Sequence, residues 1–160
     1  MKHIYHQPTI GWIELESNED HALTGIELGV APAETQAETS LFLKSVEKSL
    51  REYFAGTQPD FLWIPLAPEG TLFQQAVWQV LQQIPYGQTR SYQWVAQQIK
   101  NAKASRAVGQ ANGKNPIPII IPCHRVINFN GSLGGYSGGL PIKRHLLDLE
   151  SNLTVIRRSQ

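Results

Sequence analysis

One cysteine, Cys123, serves the whole 160-residue chain. A lone thiol excludes an intramolecular disulfide and any structural zinc site built on several thiolates, and it fits a reducing compartment, the cytoplasm. The five histidines show no metal-ligand spacing, so no metal is expected. No apolar run approaches the roughly 18 residues of a membrane span. The opening residues Met1 to His6 lack the apolar stretch of a signal peptide, so no membrane partner is expected. The glycine-dense segment Gly131 to Gly139 is not followed by Gly-Lys-Ser/Thr, which excludes a Walker phosphate cradle. The widest gap is in acids, since residues 70–147 contain neither Asp nor Glu.

That gap splits an unremarkable net charge of +1 into two opposed halves. Residues 1–69 carry four bases against eleven acids, a net −7, whereas residues 70–147 carry eight bases and a net +8. An acid-free basic stretch is the footprint of a polyanion-binding surface, most simply nucleic acid, although a solvated basic face without a partner has the same composition.

The acidic part reads as a small α+β unit. Thr9 to Glu16 and Leu23 to Val30 alternate apolar and polar residues around Ser17-Asn18-Glu19-Asp20, predicting an antiparallel hairpin. A polar loop follows over 31–40. Thr39 or Ser40 then caps a helix with Leu43, Val46, Leu50 and Phe54 on its buried stripe, stopped by Gly56. Phe61 to Leu66 is short, apolar and aromatic, and predicts a further strand with Pro65 at an edge or end. No chemical constellation appears here, and the expected role of 1–69 is a scaffold.

Pro68-Glu69-Gly70 marks the boundary to a second domain over 70–160. Thr71 caps a helix bearing Phe73, Val77, Val80, Leu81 and Ile84, and Ser91 caps another bearing Trp94, Val95, Gln98 and Ile99. A break near Asn101 leads to a small-residue helix over 102–112, stopped by Gly113, which exposes Lys103, Ser105, Arg106 and Gln110. Two short helices joined by a tight turn fit a helix-turn-helix; its small side chains permit close approach to a groove and its cations neutralise phosphates. Next comes the Pro-stiffened run Asn115 to Pro122, which delivers Cys123 with His124 and Arg125 behind it. Nearby cations are expected to lower the thiol from about 8.5, although a lone cysteine is also compatible with an inert buried hydrophobe. The glycine loop permits close backbone approach to a flat ligand. A last helix spans Ile142 to Leu149, with Glu150 at its end and a frayed tail over 153–160.

An anchor on a duplex, a pocket and a nucleophile are the set that a base-modifying protein needs. Pro122-Cys123-His124-Arg125-Val126, with Arg106-Ala107-Val108-Gly109 and Asn115-Pro116 upstream, resembles the O6-alkylguanine-DNA alkyltransferases. Tyr86-Gly87, Ser91-Tyr92, Gly134-Gly135-Tyr136 and Lys143 to Glu150 extend the resemblance over about half the chain. Tyr53 to Gly56 and Phe73 to Trp78 extend it more loosely.

The resemblance implies an α+β fold: a small N-terminal antiparallel sheet with a helix, then a mainly helical, winged-helix-like helix-turn-helix domain. It implies irreversible, cofactor-free transfer of an alkyl group from O6 of guanine, or O4 of thymine, to Cys123 after nucleotide flipping. One molecule repairs one lesion. It further implies His124 as base through a water in a chain ending at Glu150, Asn115 at the hinge, and Tyr92 donating to the guanine ring. Arg106 would fill the base stack, while Lys103, Ser105, Ala107, Gly109 and Gln110 meet the minor groove with little sequence specificity. Tyr92, Val126, Tyr136, Ser137 and Gly138 would line the base pocket, and Gly138 with Gly139 would leave room for alkyl groups larger than methyl. The expected partner is double-stranded DNA containing O6-alkylguanine, bound by a monomer. Arg125 is expected to give structural support. Two other classes stay open: a minor-groove binder with an inert thiol, and a cysteine hydrolase, which leaves the basic stretch unexplained.

Overall fold

Alternation and turn chemistry place three strands at the start of the chain in a computed structural model, which describes residues 1–31 and 39–158, with side chains described up to 151. Strands β1 (Lys2–Gln7), β2 (Gly11–Ser17) and β3 (Leu23–Val30) form one antiparallel sheet in sequential order. Tyr5 pairs with Ile13 and Leu15 with Ile26, so the period-2 pattern puts all four on the buried face. Helix α1 (Leu41–Phe54) starts where Ser40 accepts from the Leu43 amide, and it buries Leu43, Val46, Leu50 and Tyr53. The helix ends ahead of Gly56, whose φ of +87° suits the left-handed exit.

Three expectations for this part need correcting. The hairpin is extended by a third strand, β1, which pairs with β2 and was not expected because it holds only Ile4 and Tyr5 as apolar residues. Tyr53 takes the buried position expected for Phe54, which remains half-exposed. Phe61 to Leu66 is not a strand: Asp60 accepts from the Leu62 amide, Ile64 donates to the Phe61 carbonyl, and Leu62 is 92% exposed. Local turn bonding wins over β propensity there. Only Leu66 makes a bridge, to Leu23. The polar loop expected over 31–40 lies largely outside the described residues.

By contact density the chain divides into two compact units, Met1–Glu69 and Gly70–Gln160. In the second, α2 (Leu72–Leu81) opens with a reciprocal capping box between Thr71 and Gln74. Its Trp78 is buried and donates to the Ala111 carbonyl at 2.9 Å. A two-residue strand β4 (Arg90–Ser91) pairs in parallel with β5 (Val126–Ile127). Between them run α3 (Tyr92–Gln98) and α4 (Ser105–Gly113), the latter starting three residues later than its composition suggests. Asn101 accepts from the Ala104 amide in the intervening turn. Val95, Ala96, Val108 and Ala111 pack inside, leaving Lys103, Arg106, Ala107 and Gln110 exposed. Helix α5 (Leu140–Arg158) runs through most of the expected tail. Among the described residues its fully buried positions are Lys143, Leu146 and Glu150. The fold is α+β, with a small antiparallel sheet and helix followed by a helical unit. Among the described residues no helix is long and apolar enough to cross a membrane.

Candidate active site

The chain leaves α4 through Lys114 and enters a loop that cannot be a regular strand, since Pro116, Pro118 and Pro122 lack amide donors. Asn115 supplies the missing order. Its buried amide nitrogen donates to the Ile121 carbonyl at 2.7 Å, while its oxygen accepts from the Ile117 amide at 3.0 Å. The Ile121 amide closes on the Ile117 carbonyl at 2.9 Å, and Ile119 is held at φ +75°, a left-handed value that is costly for a β-branched residue. The arm is therefore a clamped turn. It ends in a single 3-10 turn, Cys123–Arg125, whose three residues are buried.

That turn sends its side chains in different directions. His124 is fully buried, with Nε2 2.7 Å from Glu150 Oε1. Arg125 forks onto the same carboxylate, Nε to Oε2 and Nη2 to Oε1 both at 2.9 Å, and donates from Nη1 to the Ile84 carbonyl at 2.8 Å. Gly87 donates its amide to Glu150 Oε2 at 3.2 Å. Burial works against ionisation of Glu150, but His124 and the Arg125 fork override it and hold the carboxyl down to about 2. Burial lowers the His124 pKa against the pull of Glu150, favouring neutral imidazole. A neutral ring that gives its Nε2 proton to a carboxylate keeps Nδ1 as a free acceptor. Nδ1 is buried and has no partner among the described residues.

The thiol departs from the expected behaviour. Burial pushes Cys123 up to about 11, and the lowering effects of Asn115, Lys143 and Tyr136 do not cancel that shift. His124 and Arg125 do not lower it, because the imidazole is held neutral and the guanidinium is spent on Glu150. The cation that favours the thiolate is Lys143, for which sequence reasoning assigned no role. Its fully buried ammonium donates to the carbonyls of Val126 at 2.7 Å, Gly135 at 3.2 Å and Leu133, and it lies 6.0 Å from the centre of the Tyr92 ring. Burial lowers it to about 8, with the Cys123 charge pulling the other way. Asn112 was also missed: it is buried at the end of α4 and donates to the Cys123 carbonyl at 3.3 Å. The helical spacing of Lys143 and Glu150 around Leu146 was the available signal for the lysine. Asn112 carried none.

Against Tyr92 and Tyr136, which neighbour the thiol, lies a cavity of about 530 Å³ whose lining does not include Cys123 itself. Its lining includes Tyr92, Ser105, Arg106, Gly109 and Gln110 from the helix pair, with Asn128, Tyr136 and Ser137 from the glycine-rich side. Burial and the neighbouring Cys123 both raise the Tyr92 and Tyr136 pKa values, so both aromatic walls adjoin the sulfur. Gly134, at φ +70°, is obligatory: a Cβ there would lie 2.5 Å from the Tyr92 hydroxyl. Val126 is buried and outside the lining, and its carbonyl accepts from Lys143. Gly138 lies outside the lining, and a Cβ on it would meet Tyr136 Cε1 at 3.0 Å. Lys103 and Ala107 are exposed on the α4 side without lining the cavity. Among the described residues no His, Cys, Asp and Glu group suited to a metal is present.

Residues 72–152 match the DNA-binding domain of 6-O-methylguanine DNA methyltransferase. The methylated-DNA-protein-cysteine methyltransferase of Methanosarcina acetivorans is 54% identical over 115 residues, spanning 72% of this chain and 73% of that protein. The constitutive enzyme of that name from Bacillus subtilis is 50% identical over 109 residues, 68% of this chain and 66% of that one. The crystal structure of Mycobacterium tuberculosis OGT in complex with DNA superposes with a TM-score of 0.83 at 43% identity, covering 95% and 93% of the two chains.

Proposed function

The chain belongs to the methylated-DNA-protein-cysteine methyltransferase family, and from that premise we propose that it repairs O6-alkylguanine in duplex DNA by taking the alkyl group onto Cys123. The observation that carries this reading is the placement of the only cysteine against both aromatic walls of the cavity, with a His124–Glu150 pair behind it.

Burial holds the thiol protonated at neutral pH, so deprotonation belongs to the reaction itself. His124, its tautomer set by Glu150, takes the thiol proton at Nδ1 through a relayed water. Sulfur attacks the alkyl carbon, an S–C bond forms and the C–O6 bond breaks. The electron pair left on guanine is met by a proton from the Tyr92 phenol, which is made good by the proton released from sulfur. Lys143 stabilises the sulfur charge while it lasts. The products are a thioether and unmodified guanine. No water attacks the thioether, so the protein is spent after one event.

On the DNA side, α4 enters the minor groove, where Ala107 and Gly109 allow close approach. Arg106 occupies the space of the flipped nucleotide, and Lys103, Ser105 and Gln110 hold the backbone. Tyr92, Tyr136 and Ser137 hold the base, with Val126 and Gly138 supporting the wall from behind. Sequence specificity is low, and the protein works as a monomer in the cytoplasm. Residues 70–160 perform binding and transfer, with 1–69 as scaffold. O4-alkylthymine and adducts larger than methyl fall within the same chemistry. The test is a peptide mass spectrum after incubation with a duplex carrying O6-methylguanine. One methyl on the Cys123 peptide is expected. Tight DNA binding with an unmodified peptide would make the protein a binder instead.

A further inference from the structure

We propose that Phe129 is a second wedge on the DNA, packing against the base step beside the flipped nucleotide from the loop after β5. The inference rests on the repair reading above. Phe129 is 87% exposed, yet the turn that carries it is tightly fixed. The Asn128 amide donates to the Ser132 carbonyl and the Gly131 amide to the Asn128 carbonyl, both at 2.9 Å. The Asn128 side chain donates to Ser132 Oγ at 2.9 Å. Asn130 Oδ1 accepts from the Ser132 amide at 3.0 Å and from its hydroxyl at 2.7 Å. Gly131 supplies the φ of +85° that closes the turn. A ring that contributes almost no buried area to folding is thus presented on a preorganised mount, which lowers the ordering cost of any contact it makes.

Its position identifies the occupant. Asn128 lines the cavity together with Arg106, Gln110 and Tyr92, and Phe129, the next residue in the chain, is exposed to solvent beside it. No acidic residue occurs between residues 70 and 147 to repel a phosphate chain there. Apolar side chains at a minor-groove face act by entering partly unstacked base steps, and aromatic rings stack on exposed bases without reading sequence. A flipped nucleotide leaves such a step open. Arg106 answers it with charge from α4, and Phe129 answers it with a flat apolar face from the loop after β5.

The test compares single-turnover methyl transfer from a lesion duplex, at subsaturating DNA, with transfer from free O6-methylguanine base, for the parent, Phe129→Ala and Phe129→Tyr. The ratio of duplex to free-base rate should fall about tenfold in Phe129→Ala, and Phe129→Tyr should recover most of it. Duplex affinity of Phe129→Ala should keep the parent's salt dependence, whereas Lys103→Ala, which removes a cation from the backbone, should lose about one unit of salt slope. An alanine ratio equal to the parent's, a parallel fall on both donors, or a reduced salt slope in Phe129→Ala would each overturn the proposal. If the parent itself accepts no methyl from either donor, the repair reading has failed. If the parent reacts and Phe129→Ala matches it, only the wedge has failed.

Discussion

The two units handle charge in opposite ways. In Met1–Glu69 the inner faces of the sheet and α1 are almost wholly apolar, and the ionic contacts lie outside, as in Lys2 with Glu14 and Glu47 with Arg51. In Gly70–Gln160 the interior holds Arg125, Lys143 and Glu150 along with His124, Asn112 and Asn115. Burying a charge costs several kcal/mol unless it is fully paired, so a fold that needed only a core would resemble the first unit. The second unit accepts that cost in one place, around Cys123. Buried polar cost concentrated at one point distinguishes Gly70–Gln160 from Met1–Glu69.

Glu150→Gln should break this contrast most severely. It leaves the Arg125 guanidinium without a buried counter-charge and removes the group that sets the His124 tautomer. The expected loss is about 3–5 kcal/mol in urea unfolding, with methyl transfer slowed by at least about a hundredfold. Next comes Lys143→Met, which strips the donor from three carbonyls and the charge from beside the thiol. Transfer should fall by about tenfold or more, and Lys143→Arg should not restore it, because the three carbonyls surround a single ammonium.

Acid should dissect the same cluster. The folded-state pKa of Glu150, about 2, lies below the ordinary carboxylate value of 4.5. Its stabilising contribution is therefore complete above about pH 4.5 and is lost as pH falls towards 2. The stability gap between parent and Glu150→Gln should narrow through that window, as urea midpoints at successive pH values would reveal. A gap that stays constant would mean the carboxylate is not held ionised. A smaller effect is expected of Asn112→Ala, about 1 kcal/mol, because the Cys123 carbonyl loses one donor but keeps the Val126 amide. Smallest are the scaffold changes. Ser40→Ala removes the α1 cap for about 1 kcal/mol, and Glu47→Gln cuts an exposed contact for about 0–1 kcal/mol. Neither should alter the transfer rate of the folded protein.

What could be read from sequence follows the same division. The capping residues Ser40, Thr71 and Ser91, the stripe of α1 and the strand β3 are local signals, and local physics places them. The Cys123–His124–Arg125 block, Asn115 and the small-residue helix were legible because chemistry restricts which residues can stand there. Phe61 to Leu66 misled because its apolar composition concealed a turn made by Asp60. The direction of the Cys123 shift was illegible for a deeper reason. In the 3-10 turn His124 and Arg125 both turn to Glu150, and the dominant influence on the thiol, burial, is a property of the assembled unit. Lys143 reads as an ordinary surface lysine until α5 is seen to face inwards with it.

The central claim is that Cys123 is a reagent used once. The most direct measurement titrates the protein with an excess of duplex carrying radiolabelled O6-methylguanine and counts the methyl groups retained per molecule. The account predicts a plateau at one methyl per protein and none on Cys123→Ser. Label released to solvent with continued turnover, or retained label that persists in Cys123→Ser, would contradict it.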